Sequence, residues 1–150
     1  MADNIKLNVA IGLIEHKFIS FELSEYAKGN KAPIDSDKYE FMFEFTLQVL
    51  EAEKQIRVDF VSKLFLKEEG LNVELAVLNL LCLFRLVNFD EIIKRDSENR
   101  LLTPNVVIQT CNTIALGSAR GMFTMALANT PYSNAVLPLV NPNTLIPKEN

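Results

Sequence analysis

The residues that could take part in catalysis are few in this sequence and widely spaced. His16 is the one histidine, so a hydrolytic triad or a histidine-containing metal site would have to include it. An acyl-transfer site is often marked by a glycine-rich turn, yet the five glycines are isolated from one another. Phosphate-binding loops and dinucleotide fingerprints are also absent from the sequence. We therefore expect no catalytic residue, no cofactor and no metal, and hence a protein that is not an enzyme.

The carboxylates and cysteines fit structural positions better than chemical ones. Glu40, Glu44 and Asp59 fall on strand faces that we expect to be solvated, so an acid/base role is not needed to explain them. Cys82 and Cys111 are too few and too far apart in the sequence for a metal-ligand pattern. In a reducing compartment they remain thiols, and we interpret them as small buried hydrophobic residues.

Composition and charge narrow the class of protein. With 150 residues, 49% of them apolar, the chain has the size of one domain, 1–150, with a well-filled core. The net charge is −4 and the basic residues are scattered, which argues against a nucleic-acid partner. The polar start lacks a secretory signal, and the longest apolar run, residues 80–84, is far too short to span a bilayer. We expect a cytoplasmic protein with no membrane insertion.

The secondary-structure elements that would position a functional site are, in the first part of the chain, predicted strands. Odd residues from 5 to 13 are apolar and residues 18–23 continue in extended form, with a bulge or bend expected at 15–17 between them. A loop or crossover follows over residues 26–38, where glycine, proline, asparagine and aspartate are crowded together. Residues 39–49 then alternate strictly between apolar and polar, and residues 56–66 repeat the pattern after a polar turn. These two strands should form a hairpin.

The fourth predicted strand, residues 73–87, is apolar on both faces. An antiparallel sheet usually exposes one face to water, so a second apolar face indicates a cover from a partner chain or from the subunit itself. Beyond it, Asp90 could cap a short helix ending at Arg95, and Thr103 with Pro104 predicts the start of a longer one. Its buried stripe would include Val107, Cys111, Ile114 and Ser118, with Gly121 ending the helix. Four prolines limit the segment after residue 129 to short helical turns and extended pieces.

The spacing of apolar residues therefore predicts an α+β fold of about four antiparallel strands followed by a helical segment. Ten phenylalanines and a two-faced apolar strand are more than such a unit needs for its own core. Each large apolar side chain removed from water contributes roughly 1.5–3 kcal/mol, so a surplus patch would drive assembly or the capture of unfolded segments. The residues themselves thus favour a polypeptide-binding protein.

Five short strings carry a family resemblance that extends over about residues 10–146. They are residues 14–22, which end in Ile-Ser-Phe-Glu, Leu-Phe-Arg-Leu at 83–86, Pro-Asn-Val at 104–106, Ala-Arg-Gly-Met-Phe at 119–123 and Leu-Pro-Leu-Val-Asn at 137–141. In this order they resemble the first strand, the fourth strand, the two ends of the main helix and the following apolar segment of the SecB export-chaperone family.

This resemblance implies a four-stranded antiparallel sheet with a crossover after strand 1 and helices packed on one face. It also implies a homo-oligomer, a dimer of dimers, whose main helices lie between two sheets. The oligomer interface would then include Ala76, Leu78, Leu80, Cys82, Val107, Cys111 and Ile114, with Val73, Leu75 and Val77 on the opposite face of strand 4. The surface for clients or partners would include Phe18, Phe21, Glu22, Leu75, Val77, Phe123, Leu137 and Val140.

The same resemblance implies an ATP-independent chaperone that holds unfolded polypeptides for export and delivers them to the SecA motor. The family's motor contact uses acidic residues on the outer sheet, of which Glu22 matches one, while Phe18 and Val77 stand at other such positions. The family's motor-binding tail is not matched in the stretch up to Asn150. Holding unfolded chains is therefore the primary expectation, and SecA is a possible partner.

Three alternatives stay open from the sequence. The same fold could serve one dedicated client, such as an antitoxin, in place of many. The fourth strand and main helix could instead build a non-catalytic oligomeric scaffold. A small-molecule enzyme, such as a thioesterase with a sheet wrapped around a helix, would need His16 and the strand carboxylates as its chemical groups.

Overall fold

A four-stranded antiparallel sheet dominates the computed structural model, which describes residues 10–29, 35–68 and 70–146. The strands are β1 (Ile11–Leu23), β2 (Tyr39–Leu50), β3 (Gln55–Glu68) and β4 (Leu71–Leu86), in the spatial order β1-β4-β3-β2. Since β1 and β2 lie at opposite edges, the connection between them crosses the sheet, as predicted. The α+β class and the crossover are confirmed; predicted strand residues 5–9 lie outside the described part.

The central hairpins follow the alternation of the sequence. β2 pairs with β3 without a register shift from Tyr39 opposite Leu66 to Leu50 opposite Gln55. Its turn, residues 51–54, ends with Lys54 in the left-handed region at φ 55°. Gly70, at φ 79°, provides the same backbone geometry before β4, where a side chain would be strained.

Strand β1 contains two register shifts against β4, one between Leu13 and Glu15 and one between Phe18 and Ser20. They flank the predicted break at residues 15–17 rather than coinciding with it. Each shift inserts an extra residue and therefore reverses which face the following side chains share. As a result, Phe18 lies opposite Leu80 on the helix side, whereas Glu22 lies opposite Val77 on the outer side. Phe18, Glu22 and Val77 were predicted to lie together on the outer face. This prediction is wrong for Phe18, which lies on the helix side.

Strand β4 has a shift of its own where its pairing with β3 passes from Leu64 opposite Ala76 to Phe65 opposite Glu74. Leu75 is the extra residue, and its side chain is fully buried in the core. Val73, beyond the bulge, also packs against the core. The prediction that Val73 and Leu75 share the outer face with Val77 is thus wrong, because strict alternation does not continue through a bulge.

The long helix α3 (Asn105–Leu127) packs on one face of the sheet. It buries a stripe with a strict four-residue spacing: Val107, Cys111, Ala115, Ala119, Phe123 and Leu127. The helix begins one residue later than predicted, with Pro104 in extended backbone at the N-cap position. It also passes through Gly121, the predicted end, because the next two positions of the stripe, Phe123 and Leu127, are fully buried and hold the last turns on the sheet.

Short elements complete the chain. They are α1 (Glu25–Gly29), a 3-10 turn (Ser36–Lys38), α2 (Phe89–Ile92), a hairpin of β5 (Lys94–Arg95) with β6 (Leu101–Leu102), and a 3-10 turn (Pro142–Leu145). The predicted helix reaching Arg95 stops at Ile92, and its N-cap is Asn88 rather than Asp90. The short turns predicted in the proline-rich segment are confirmed by Pro142–Leu145.

The core lies between the inner sheet face and α3. Inner-face residues of β3 and β4, such as Phe60, Leu80 and Phe84, are at most 1% exposed. Phe123 contacts aromatic rings on both edge strands, with Phe21 of β1 at 5.9 Å and Phe41 of β2 at 5.4 Å between ring centroids. The helix thus fixes both edges of the sheet around one buried layer.

Candidate functional site

The inner face of edge strand β2 is a half-buried apolar surface that runs the length of the strand. Its side chains pack against the core on one side and remain partly open on the other. These residues are Tyr39, Phe41, Phe43, Phe45, Leu47 and Val49. Neighbouring inward residues of a strand are about 6.6–6.8 Å apart, so the series forms a continuous apolar row along the edge.

The aromatic members of this row support one another. Phe43 and Phe45 lie at a centroid distance of 5.7 Å, and each also contacts the buried ring of Phe60, at 6.0 and 5.0 Å. These distances fall within the favourable range for aromatic pairs, about 4.5–7 Å. The rings are therefore held in position from beneath while their outer edges stay accessible.

The C-terminal segment, residues 131–146, lies beside this apolar row and lines the same surface depressions. Tyr132 is fully buried and donates from its hydroxyl to the carbonyl oxygen of Ala27 at 3.1 Å. Tyr39 donates to Oδ1 of Asn134 at 3.0 Å, which joins the start of β2 to this segment. Burial, and next the nearby Tyr132, raise the pKa of Tyr39 above its usual value, so its hydroxyl stays protonated as a donor at neutral pH.

Two cavities lie in line between β2 and this segment. One, of about 390 Å³, is lined by Tyr39, Glu40, Phe41, Asn134, Val136 and Pro138. The other, of about 310 Å³, is lined by Phe43, Phe45, Asn112, Thr144, Leu145 and Ile146. We call the two cavities and the aromatic row that lines them, Tyr39, Phe41, Phe43 and Phe45, the β2 groove. Its size and lining suit extended polypeptide with apolar side chains, since ligand pockets are mostly apolar and about 300–1,000 Å³.

One polar side chain is buried at the second cavity. Asn112 of α3 is 5% exposed and donates from Nδ2 to the carbonyl oxygen of Leu145 at 2.9 Å. This bond fixes the 3-10 turn Pro142–Leu145 against the helix. A weaker contact, from Nε2 of Gln109 to Oδ1 of Asn143 at 3.2 Å, lies at the exposed rim.

The residues predicted for an oligomer interface come together, but inside the single chain. Six are buried where β4 meets α3: Ala76, Leu78, Leu80, Cys82, Val107 and Cys111. Ile114 is partly buried and packs against the same core. Their surface is already covered by the chain's own sheet and helix, so a second subunit would have to contact other residues of these elements.

The residues predicted for a client or partner surface do not form one surface. Leu75, Phe123 and Leu137 are fully buried, and Phe21 and Val140 are partly buried against the core. Phe18 is 46% exposed on the helix side of β1, whereas Glu22 and Val77 pair across strands on the outer side. The accessible members are thus divided between two faces of the sheet.

The outer sheet face alternates half-buried apolar residues with ion pairs. Val61, Phe65, Val77, Leu81 and Leu83 provide the apolar part. Ion pairs join Arg57 to Asp59 at 2.9 Å, Lys67 to Glu40 at 2.9 Å and Lys63 to Glu74 at 3.4 Å. Such exposed pairs contribute about 0–1 kcal/mol each, so they act mainly as a polar covering of this face.

The chemical groups singled out from the sequence are not brought into a reactive arrangement by the described residues. His16 pairs through its backbone with Cys82, and its side chain lies outside the description. Over residues 10–29, 35–68 and 70–146, no three metal-ligating side chains form a cluster. Burial raises the pKa of Cys82 to about 11 and that of Cys111 to about 12, so both are thiols at neutral pH. No helix in the described part is long and apolar enough to span a membrane.

Sequence reasoning identified the apolar face of residues 39–49 but did not include it in the predicted client surface, so it missed the groove. Period-two alternation shows which residues share a face, but an edge strand is only partly covered, and edge position depends on the crossover. The excess of aromatic residues on this strand, Tyr39 with three phenylalanines, was the available signal. Nothing in the sequence marked Asn112 or residues 144–146 as part of a groove.

Comparisons with known proteins agree with this architecture. The sequence matches no family model and no curated protein. Among solved structures, the fold is similar to that of a SecB-like chaperone, so the chain has a SecB-like fold. That structure is the Mycobacterium tuberculosis Rv1957 SecB-like chaperone in complex with a ChAD peptide from the Rv1956 HigA1 antitoxin. The TM-score is 0.53 at 15% sequence identity, covering 87% of this chain and 91% of that one.

Proposed function

We propose that this protein is a molecular chaperone that binds unfolded or non-native polypeptides in the β2 groove. The observation that carries the proposal is the groove itself, an aromatic row on an edge strand beside two cavities of about 390 and 310 Å³. The row provides apolar contact area without a demanding shape, which suits many unfolded sequences. The SecB-like fold adds support, because the similar structure is a chaperone with a bound peptide.

Client binding in the groove needs no nucleotide. Each apolar client side chain that enters the groove contributes roughly 1.5–3 kcal/mol, so several together reach micromolar affinity, about −8 kcal/mol, without an energy source. We place this activity in the cytoplasm, where it would keep export clients unfolded.

Suppression of aggregation tests the proposal. A chemically unfolded client is diluted into buffer without ATP, light scattering follows aggregation, and calorimetry measures the dissociation constant. The wild type is expected to suppress aggregation and bind at micromolar or lower concentration. The Phe43→Ser, Phe45→Ser variant should lose at least about tenfold in affinity, given the loss of two large apolar contacts.

The matched control changes the outward residues of the same strand, Thr46→Ala with Gln48→Ala. Both side chains are exposed, so client affinity should stay within about twofold of the wild type. Absence of client binding by the wild type, or equal binding by the two variants, contradicts the proposal.

A dedicated chaperone for one client is the second candidate. The similar Mycobacterium structure holds a peptide from an antitoxin, which favours this form of the function. Affinities for a panel of unrelated unfolded proteins separate the two candidates. A general chaperone binds the panel within about tenfold, whereas a dedicated one prefers a single segment by a hundredfold or more, about 2.7 kcal/mol.

Assembly into a homo-oligomer is part of the proposal, and the outward face of α3 is the surface that supports it. Thr113, Gly117 and Gly121 lie four residues apart and are exposed, and a Cβ added at either glycine would meet open space. Met125, one turn further, is 81% exposed. A second copy's helix could approach closely along this face.

SecA remains the proposed motor partner, with the outer sheet face as its contact. Glu22 is exposed beside Val77 there. Titration of SecA with the wild type and with Glu22→Lys tests this assignment, since reversal of the charge should weaken the complex. Equal binding by both proteins would remove Glu22 from the interface.

A further inference from the structure

Asn112, which lines the cavity beside Phe43 and Phe45, has a buried polar atom without a partner among the described residues. Nδ2 of Asn112 donates to Leu145, whereas its Oδ1 has no hydrogen-bond partner among the described residues. Native proteins pair the great majority of buried acceptors, because an unpaired one loses its contacts with water and gains nothing. A donor brought by a ligand would satisfy this oxygen.

We infer that the cavity binds a tryptophan side chain of the client, with the indole Nε1–H donating to Oδ1 of Asn112. This rests on the proposed function and names the side chain that the groove prefers. The indole is a large apolar ring with one donor and no acceptor. The rings of Phe43 and Phe45, 5.7 Å apart, provide aromatic walls for it.

The cavity suits one large side chain better than a stretch of backbone. Its volume of about 310 Å³ lies at the lower end of ligand pockets, about 300–1,000 Å³. A peptide unit would bring a carbonyl oxygen together with its N–H, and that oxygen would need a donor. The Thr144 hydroxyl already donates to Asn141 at 2.7 Å, and Nδ2 of Asn112 already donates to Leu145.

Other aromatic side chains satisfy the cavity less well. Phenylalanine has no donor for Oδ1 of Asn112. Tyrosine has a donor, but its hydroxyl oxygen adds acceptor lone pairs that would be buried without a partner. Of these three aromatic side chains, tryptophan alone combines the bulk, the donor and the absence of an acceptor.

Entry requires a small displacement of the cavity wall. Oδ1 of Asn112 has less than 1 Å² of accessible surface, so the indole reaches it only when residues 144–146 shift outward. The exposed contact between Gln109 and Asn143, 3.2 Å long, is the contact that would open first.

Fluorescence tests the inference directly, because this protein contains no tryptophan. Three extended apolar peptides carry tryptophan, 1-methyltryptophan or phenylalanine at one position and are otherwise identical. Methylation of the indole nitrogen removes the donor and leaves the ring. Titration by anisotropy of a label on each peptide gives the affinities, and the emission maximum reports burial of the indole.

For the wild type we expect a blue-shifted indole and about tenfold tighter binding of tryptophan than of 1-methyltryptophan or phenylalanine. In Asn112→Leu the preference for tryptophan over 1-methyltryptophan should fall to within about twofold. Thr46→Val, a change at an exposed residue on the outward face of β2, should leave the preference intact. A methyl group that merely clashes would be disfavoured equally in Asn112→Leu, so the variant separates the two causes.

Equal affinity of the wild type for tryptophan and 1-methyltryptophan overturns the inference and leaves the proposed function standing. An unchanged preference in Asn112→Leu overturns it as well. If none of the three peptides binds, the proposed function fails with it. Should Asn112→Leu not fold, as judged by circular dichroism, the wild-type comparison of the tryptophan and 1-methyltryptophan peptides still decides the outcome.

Discussion

The ring of Phe123 in the long helix lies edge-on to the ring of Phe41 in strand β2, with 5.4 Å between centroids and 81° between planes. Phe41 belongs to the β2 groove, whereas Phe123 is fully buried, so the contact couples the proposed client surface to the core. The same ring contacts Phe21 on the opposite edge strand. Phe123 therefore fixes the position of the helix relative to both edges of the sheet.

Phe123→Ala should lower the free energy of unfolding by about 3–5 kcal/mol, the usual cost of removing a buried phenylalanine. Urea denaturation followed by circular dichroism measures this. Met125→Ala in the same helix is the control, because Met125 is 81% exposed and its loss should cost less than about 0.5 kcal/mol. A loss below 1 kcal/mol for Phe123→Ala contradicts the role given to this ring.

Tyr132→Phe removes one buried hydrogen bond and leaves the aromatic ring in place. The hydroxyl of Tyr132 donates to the carbonyl oxygen of Ala27, and both residues are buried. We expect a destabilisation of about 1–3 kcal/mol, since the carbonyl is left without a partner. Tyr26→Phe, at a position 47% exposed, is the control and should be close to neutral. Equal effects of the two changes in thermal unfolding would show that the bond contributes nothing.

The two buried thiols predict a loss of stability at alkaline pH. Burial raises the pKa of Cys82 to about 11 and that of Cys111 to about 12, from 9.0. The unfolded chain therefore loses these protons first, so their contribution is complete below pH 9 and is lost as pH rises towards 12. Urea unfolding from pH 8 to 11 should show a smaller decline for the Cys82→Ala, Cys111→Ala variant than for the wild type. Parallel declines would contradict this assignment.

Assembly through α3 predicts that Gly121→Glu yields a smaller particle. Glutamate favours the helix more than glycine does, so the subunit should stay folded while the charge blocks close approach of a second helix. Light scattering measures the solution mass of both proteins. A wild type with the mass of one chain, 16.9 kDa, or an unchanged oligomer in Gly121→Glu contradicts assembly through this face.

Much of the fold follows from the spacing of apolar residues in the sequence. The strand-face assignments that failed did so for local reasons. β2 and β3 alternate without interruption, so their pairing was predicted to within a residue or two of each end. β1 and β4 contain bulges, and each bulge reverses the faces of the residues beyond it. That reversal explains why Leu75, assigned to the outer face from the alternation, and Phe18, assigned to it through the family resemblance, do not lie there.

The groove could not be predicted from the same signals. Its walls are an edge strand and a segment about ninety residues further along the chain, joined by the contact between Tyr39 and Asn134. Neither local period nor propensity reports a pairing of this kind. The helix end was misplaced for a related reason, since tertiary packing of Phe123 and Leu127 outweighs the glycine at 121.

Site-specific photo-crosslinking determines whether clients bind along the β2 groove. p-Benzoylphenylalanine is placed at Phe45, on the groove side of β2, or at the neighbouring Thr46, on the outer side, and each protein is irradiated with an unfolded client. Binding along the groove predicts strong cross-links from position 45, competed by excess client, and few from position 46. Equal yields, or a higher yield from position 46, would contradict it.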